Sequence, residues 1–494
     1  MSEFARTALP AREERGSDPR RWRALAVTQL AGFMILLDVS IVNVALPSLE
    51  RDLAVSAGTV QWVVSGYALT LGLALVPGGR LGDILGRRRM FLVALAAFVV
   101  TSALTGAAPT IGLLIAARLL QGIAGGLLVP QNSGLIQELF RGAERGRAFG
   151  ILGATVGLAT AAGPVLGGLI LAVFTAPDGW RWVFYVNVPI GLVALLLAAR
   201  LVPSTTVRGV RGLHLDLLGT LLLGGGVLCL LLPVVDESIA RGPYLLVVAV
   251  LLLAAFARWE VRTVRRGRQP LLDPRLARTP GYVAGSGIAL VYFVGFTGIG
   301  LVFALFFQDG LGYSPLRSGL AVTPLALGVA AGAAVAGRLV SRIGRWLTVA
   351  GLSTVAVGLV ATALVLRNVG GDPAAWAAVV PLLVTGVGGG MVTSPNITLT
   401  LEAVPVEMAG AAGGALQTAQ RIGAAVGTAV LAAIFYQVLV RTGRDYATAV
   451  SDALLCASGV MVLALLMAVA ELARRHHPDR RAALPHPEHA AHRM

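Results

Sequence analysis

The sequence predicts an all-α membrane protein, and three observations carry that prediction. Hydrophobic residues make up 56% of the 494-residue chain, and its mean hydropathy is +0.79. Only 13% of the residues are charged, whereas a soluble domain has roughly 25%. Apolar runs of about 20 residues, the length that crosses ~30 Å of hydrocarbon, recur along the whole chain. This composition excludes a soluble globular protein and a disordered one.

Fourteen apolar runs are long enough to be considered as spans. They lie at 24–47, 60–79, 90–108, 111–133, 147–173, 182–200, 215–235, 243–257, 281–307, 318–337, 346–366, 374–400, 409–440 and 450–473. The first run is too long for a cleaved signal sequence and contains Asp38, so we expect it to remain as span 1. The eighth run is the shortest.

The basic residues predict the orientation of these spans. All 40 are Arg, and with the N-terminus in the cytoplasm 31 fall on the cytoplasmic side and 7 on the opposite side. This bias predicts that both termini are cytoplasmic, and it accounts for the net charge of +15 without nucleic-acid binding. Because the chain has no Lys, it has no Walker A ATPase site and no Schiff-base chemistry.

Charges within spans are costly, so they are candidates for function. Three stand out: Asp38 in span 1, Arg118 in span 4 and Arg421 in span 13. A desolvated carboxylate such as Asp38 can exchange a proton near neutral pH, although a structural ion pair with Arg118 is an alternative. Gln121 follows Arg118 on the same helical face.

Several motifs follow one another in a characteristic order. Residues 79–89 read GRLGDILGRRR, and residues 163–168 read GPVLGG. The first resembles the signature loop of the major facilitator superfamily, and the second resembles the antiporter motif of that superfamily, although Ala159 stands where the motif often has Gly. Further matches to the fourteen-span drug:proton antiporter branch lie at 37–47, 118–122, 179–189, 270–273 and, as a degenerate copy of the first loop, 337–345.

The resemblance implies a major facilitator fold, in which two six-helix halves are accompanied by two additional helices. The expected organisation is a cytoplasmic tail, an N-terminal half, the additional helices 7 and 8, a basic loop, a C-terminal half and a second tail, at 1–23, 24–200, 201–257, 258–280, 281–473 and 474–494.

The candidate site residues fall into four groups. The proton-coupling and cavity group is Asp38, Asn43, Arg118, Gln121 and Arg421, for the last of which the sequence names no partner. The gating group is Gly79, Asp83, Gly86, Arg87 and Arg88. Its glycines, together with Gly82, are expected to let helices 2 and 3 join through a tight turn. The antiporter group is Gly163, Pro164, Gly167 and Gly168. Aromatic residues that line either a drug cavity or the lipid and core are Tyr292, Phe293 and Phe296.

Within the gating group, the Asp83 carboxylate is expected to dock against the N-terminus of helix 13 near Gly410, and so to latch the cytoplasmic side. In the family interpretation Arg118 modulates the protonation of Asp38.

The resulting functional hypothesis is proton-driven export of amphiphilic drugs or antibiotics by alternating access in the bacterial cytoplasmic membrane. A dedicated exporter of one endogenous metabolite and an importer or uniporter remain alternatives. The expected partners are a small amphiphilic substrate, protons and the lipid bilayer, in a monomer without nucleic acid. We expect no cofactor, no metal site and no enzymatic activity.

Overall fold

A computed structural model describes residues 20–174, 177–203, 216–235, 244–266, 268, 270–371, 373–402, 404–405 and 408–476. Within these ranges the regular structure is helical and contains no strand. The predicted N-terminal tail lies outside the described residues up to position 19, and the predicted C-terminal tail does so from position 477.

Six long helices form the N-terminal group. They are α1 (Arg20–Asp52), α2 (Ala57–Leu85), α3 (Arg87–Ala107), α4 (Ile111–Leu139), α5 (Gly142–Val173) and α6 (Asp178–Leu201). The last of them is interrupted between Tyr185 and Asn187.

Two helices follow, and six more form the C-terminal group. The pair is α7 (Leu217–Val235) and α8 (Tyr244–Arg265). The C-terminal group is α9 (Pro280–Gly310, whose last turn is a π-helix), α10 (Pro315–Ile343), α11 (Trp346–Asn368), α12 (Val379–Glu402), α13 (Ala409–Arg441) and α14 (Tyr446–His476).

Twelve of the described helices are long and apolar enough to cross a membrane. The other two are α7, whose apolar stretch is the shorter Leu217–Leu230, and α12, which has 24 residues but carries many Gly, Ser, Thr and Asn. All fourteen predicted runs therefore fall on helices.

The two six-helix groups meet along two seams. In one seam α5 packs against α10, and in the other α2 packs against α13. The additional pair lies beside the second seam, because α7 contacts both α2 and α13. Mostly aliphatic side chains fill this junction, among them Leu69 of α2, Val227 of α7 and Ile422 of α13.

The structure corrects the predicted turn between helices 2 and 3. Helix α2 runs on to Leu85 and α3 begins at Arg87, so Gly86 is the whole break. Its φ of 91° is in the left-handed region that favours glycine. Gly79 and Gly82 lie inside α2, where they permit close packing and do not form a turn.

Helix α8 is also longer than its apolar run. The expected basic loop begins at position 258, but α8 continues to Arg265 because arginines are good helix formers that reach water beyond the apolar stretch. At the start of α14, the Asp445 carboxylate accepts hydrogen bonds from the Thr448 hydroxyl (2.5 Å) and from backbone N–H groups. These bonds lower the pKa of Asp445.

Candidate functional site

Asp38 lies at the centre of a buried polar network. Its side chain is fully buried and accepts hydrogen bonds from Arg118 (Nη1 to Oδ2, 2.6 Å), Asn187 (Nδ2 to Oδ1, 2.8 Å) and Gln121 (Nε2 to Oδ1, 3.2 Å). Helices α1, α4 and α6 therefore meet at one carboxylate. A buried charge is tolerated only when it is paired and hydrogen-bonded in this way.

Arg118 is held from several sides. Its Nε donates to the Val63 carbonyl of α2 at 3.0 Å, and its Nη1 donates to the Gln121 side-chain oxygen at 2.9 Å. The guanidinium also lies 4.1 Å from the ring centroid of Tyr67, a cation–π contact. Its Nη2 and the Tyr67 hydroxyl have no hydrogen-bond partner among the described residues.

Asn187 is a further member of the network and is absent from the predicted coupling group, although it belongs to the matched motif at 179–189. A neutral amide in a span does not stand out by charge, so only its position in that motif could have signalled a role. Asn187 is fully buried and donates to both Asp38 and the Ser102 hydroxyl, at 2.8 Å and 3.0 Å. Ser102 in turn donates to the Phe184 carbonyl at 3.1 Å.

Two residues of the predicted coupling group lie outside this network. Asn43 is exposed, and its amide donates to the Val39 carbonyl of its own helix at 3.2 Å. Arg421 lies on α13, in the other six-helix group, and is partly exposed. Its side chain interacts electrostatically with Tyr67, the same ring that covers Arg118.

Asp83 joins the two groups at the Arg-rich end of the bundle. Its Oδ1 accepts from the backbone N–H of Gly410 at 3.1 Å, and its Oδ2 accepts from that of Ala411 at 3.0 Å. These N–H groups belong to the first turn of α13, where they have no partner within their own helix. The predicted docking partner of Asp83 is thus its partner in the structure.

Two arginines at the start of α3 bind Asp83 and the neighbouring helices. Arg87 donates to Asp83 at 3.0 Å, donates to the Gly134 carbonyl and lies 3.8 Å from Glu138. Arg88 donates to the Ala199 carbonyl of α6 at 2.5 Å. Asp83 is therefore held between a guanidinium on one side and the N-terminus of α13 on the other.

Close backbone packing accompanies the Asp83 contact. A Cβ at Gly79 would overlap the Gly410 carbonyl, so α2 and α13 touch directly. About two turns further along α13, the Gln417 amide donates to the Ser133 hydroxyl of α4 at 3.1 Å. The two groups are closed against each other at this end.

The antiporter motif lies where α5 meets two other helices. A Cβ at Gly163 would overlap Ser40, two residues beyond Asp38 on α1, and Gly167 lies against Ile41. Pro164 faces Gly319 of α10, and Gly168 faces Leu316 of α10. The motif therefore connects the helix of Asp38 with the seam between the groups.

The three candidate aromatic residues pack within the C-terminal group. Tyr292 is buried, with its ring stacked on Phe296 (5.0 Å between centroids) and its edge against Phe293 (5.2 Å). Its hydroxyl is 3.4 Å from the Gly389 carbonyl of α12. Phe293 and Phe296 are half-buried, and Phe293 also lies against Gly423 of α13.

The described helices define a polytopic membrane protein, and the family and relatives that it matches indicate a transporter and not an enzyme. The chain belongs to the Major Facilitator Superfamily, whose family model matches residues 30–428. Among known structures, it resembles the human organic anion transporter MFSD10 with a TM-score of 0.67 and 16% identity, over 91% of this chain and 100% of that one.

Two relatives from Streptomyces are similar over most of the chain. The probable actinorhodin transporter of Streptomyces coelicolor is 37% identical over 425 residues, which cover 85% of this chain and 73% of that protein. The puromycin resistance protein of Streptomyces alboniger is 39% identical over 428 residues, which cover 84% of this chain and 82% of that protein.

Proposed function

We propose that the chain is a proton-coupled exporter of amphiphilic drugs or antibiotics, acting as a monomer in the bacterial cytoplasmic membrane. The relatives named for actinorhodin transport and puromycin resistance support the export of antibiotics. The observation that carries proton coupling is Asp38, a buried mid-helix carboxylate whose three donors come from two other helices.

The proposal includes fourteen spans with both termini in the cytoplasm. Helices α7 and α12 supply the two spans beyond the twelve most apolar ones. The Arg distribution supports the orientation. The Arg-rich end of the bundle carries the Asp83 junction, the start of α1 at Arg20 and the end of α14 at His476. In the proposed division, residues 24–200 and 281–473 are the two moving halves.

Protonation of Asp38 is the proposed coupling step. A proton on this carboxylate cancels its charge and removes the ion pair with Arg118, whose Nη1 lies 2.6 Å from Oδ2. The freed guanidinium then has its remaining bonds to Val63 and Gln121 and the ring of Tyr67. Because Arg118 touches α2, loss of the pair alters the contact between α1, α4 and α2.

Opening of the cytoplasmic end is the proposed second step. The halves separate there only when Asp83 releases the N–H groups of Gly410 and Ala411. Alternating access follows if proton binding at Asp38 and release of this junction occur in one cycle. The antiporter motif, in which Gly163 packs against Ser40 and Gly168 faces Leu316 of α10, connects the helix of Asp38 to the other half through α5.

A dedicated exporter of one endogenous antibiotic is the second candidate. It is favoured by relatives that are named for a single compound. An importer or uniporter has no comparable support. A susceptibility panel in a pump-deficient host distinguishes the two export hypotheses, because a dedicated exporter protects against one compound or scaffold only.

The test of coupling uses proteoliposomes with an imposed pH gradient and a compound from that panel. Wild type is expected to accumulate the compound when the gradient drives it, whereas Asp38→Asn is expected to bind it without accumulating it. The control Asp309→Asn neutralises an exposed carboxylate in α9 and should behave as wild type. Full gradient-driven accumulation by Asp38→Asn would refute the proposed role of Asp38.

A further inference from the structure

Three charged side chains lie in the middle of the described helices, and their charges do not sum to zero. Asp38 and Arg118 form one neutral pair. Arg421 has no hydrogen bond and no ion pair with any described residue. Its side chain interacts electrostatically with the neutral Tyr67. The central region therefore carries an excess of one positive charge.

Arg421 lies where the two halves face each other. On α13 it follows Gln417, which bonds to Ser133 of α4, by one helical turn. The adjacent Ile422 packs with α2 and α7, and Gly423 packs against Phe293 of α9. Arg421 is also partly exposed, so a molecule between the halves can reach it.

A guanidinium at this depth requires a counter-charge. Unpaired charges within a membrane are costly, and they face a pathway or a partner. Asp38 does not serve in this structure, because its charge is paired with Arg118 and no ion pair joins it to Arg421. The other carboxylates among the described residues lie towards the ends of helices or in the connections between them. The missing negative charge must therefore arrive with a ligand.

We propose that Arg421 binds the acidic group of the exported molecule, so that the preferred substrate is an amphiphilic organic anion with a carboxylate or an acidic phenol. This inference rests on the proposed export function. The planar guanidinium can donate two parallel hydrogen bonds to such a group. Tyr67 of the opposite half interacts electrostatically with Arg421, while its buried hydroxyl packs within its own half, against Gly125 of α4.

The test compares two xanthene dyes of similar size and opposite charge. Fluorescein is the anion and rhodamine 123 is the cation. Binding to the purified protein in phospholipid-free detergent is measured by fluorescence anisotropy, and transport is measured in proteoliposomes with a pH gradient. We expect wild type to bind fluorescein at least 10-fold more tightly than rhodamine 123, and to transport it preferentially.

Variants separate charge from structure. Arg421→Gln is expected to weaken fluorescein binding at least 10-fold while leaving rhodamine 123 binding unchanged or stronger, and Arg421→Lys should recover part of the loss. Arg441→Gln, which removes an exposed arginine further along the same helix, is the matched control and should match wild type.

The outcomes also separate this inference from the proposed function. Equal binding of both dyes, no binding of fluorescein, or an equal loss for both dyes in Arg421→Gln would overturn the anion site. Arg421-dependent binding of fluorescein without gradient-driven transport would support the anion site and overturn proton-coupled export.

Discussion

Replacing Asp83 with Asn tests whether the junction at the Arg-rich end governs the conformational cycle. The substitution keeps the shape of the side chain and removes its charge. In the structure each carboxylate oxygen accepts one N–H from the first turn of α13, at 3.1 Å and 3.0 Å. The side chain is 2% exposed, so solvent screens these interactions little.

The size of the effect follows from this geometry. A partly buried charge at a helix terminus contributes up to about 2 kcal/mol. Losing that amount shifts the equilibrium between closed and open ends about 30-fold, because every 1.4 kcal/mol is a factor of ten. We expect Asp83→Asn to open this end more often and to lower the transport rate.

A disulfide assay measures closure directly. A Cβ at Gly413 would lie 3.4 Å from the Ser133 Cβ, near the spacing of a disulfide. Cysteines at these two positions, with Cys229 and Cys456 replaced by Ala, should cross-link quickly under mild oxidation. In the Asp83→Asn background we expect the initial rate to fall with the closed fraction, by up to about 30-fold.

A second cysteine pair is the control. Gly168 and Leu316 join the halves near the opposite end, where a Cβ at Gly168 would lie 4.0 Å from the Leu316 Cβ. Cross-linking of this pair should not fall in Asp83→Asn. An unchanged rate at the Ser133 and Gly413 pair would refute the argument that the Asp83 contact holds the halves together.

Three further predictions concern packing and the buried networks. Gly163→Ala should lower transport at least 10-fold because its Cβ meets Ser40, whereas Gly459→Ala, which has open space, should match wild type; dye efflux from cells measures both. Asn187→Ala removes a donor to a charged group, so we expect a loss of about 1.5–3 kcal/mol in denaturant unfolding, and no change in stability would contradict the geometry. Glu471→Gln removes the carboxylate charge that pairs with the buried Arg345 guanidinium and should cost about 3–5 kcal/mol, checked by thermal unfolding in detergent.

The sequence predicts the helices and the Asp83 contact because their causes are local. Apolar run length determines a span, and a carboxylate at one helix end has few partners. Neutral residues are harder to interpret. Nothing in the composition distinguishes Asn187, which reaches Asp38, from Asn43, which bonds to its own helix. That difference depends on how α6 packs against α1.

The glycines of residues 79–86 illustrate the same limit. Their spacing suggested a turn, but only Gly86 has the backbone conformation of one. Gly79 is required by the neighbouring backbone of α13, more than 300 positions away in the chain. Likewise, arginine-rich sequence after position 258 resembled a loop, although it extends α8.

Helix α13 has a consequence for how substrate and conformation influence each other. It contains no proline, and about 17 Å of continuous helix separate Gly410, at the junction with Asp83, from Arg421. If an anion at Arg421 favours closure by some factor, then closure must raise anion affinity by the same factor, since allosteric coupling is reciprocal. A disulfide between cysteines introduced at positions 133 and 413 holds this end closed. Forming it should therefore change fluorescein affinity as much as fluorescein changes the closure equilibrium. An unchanged fluorescein affinity in the cross-linked protein would show that closure and the Arg421 site are not coupled.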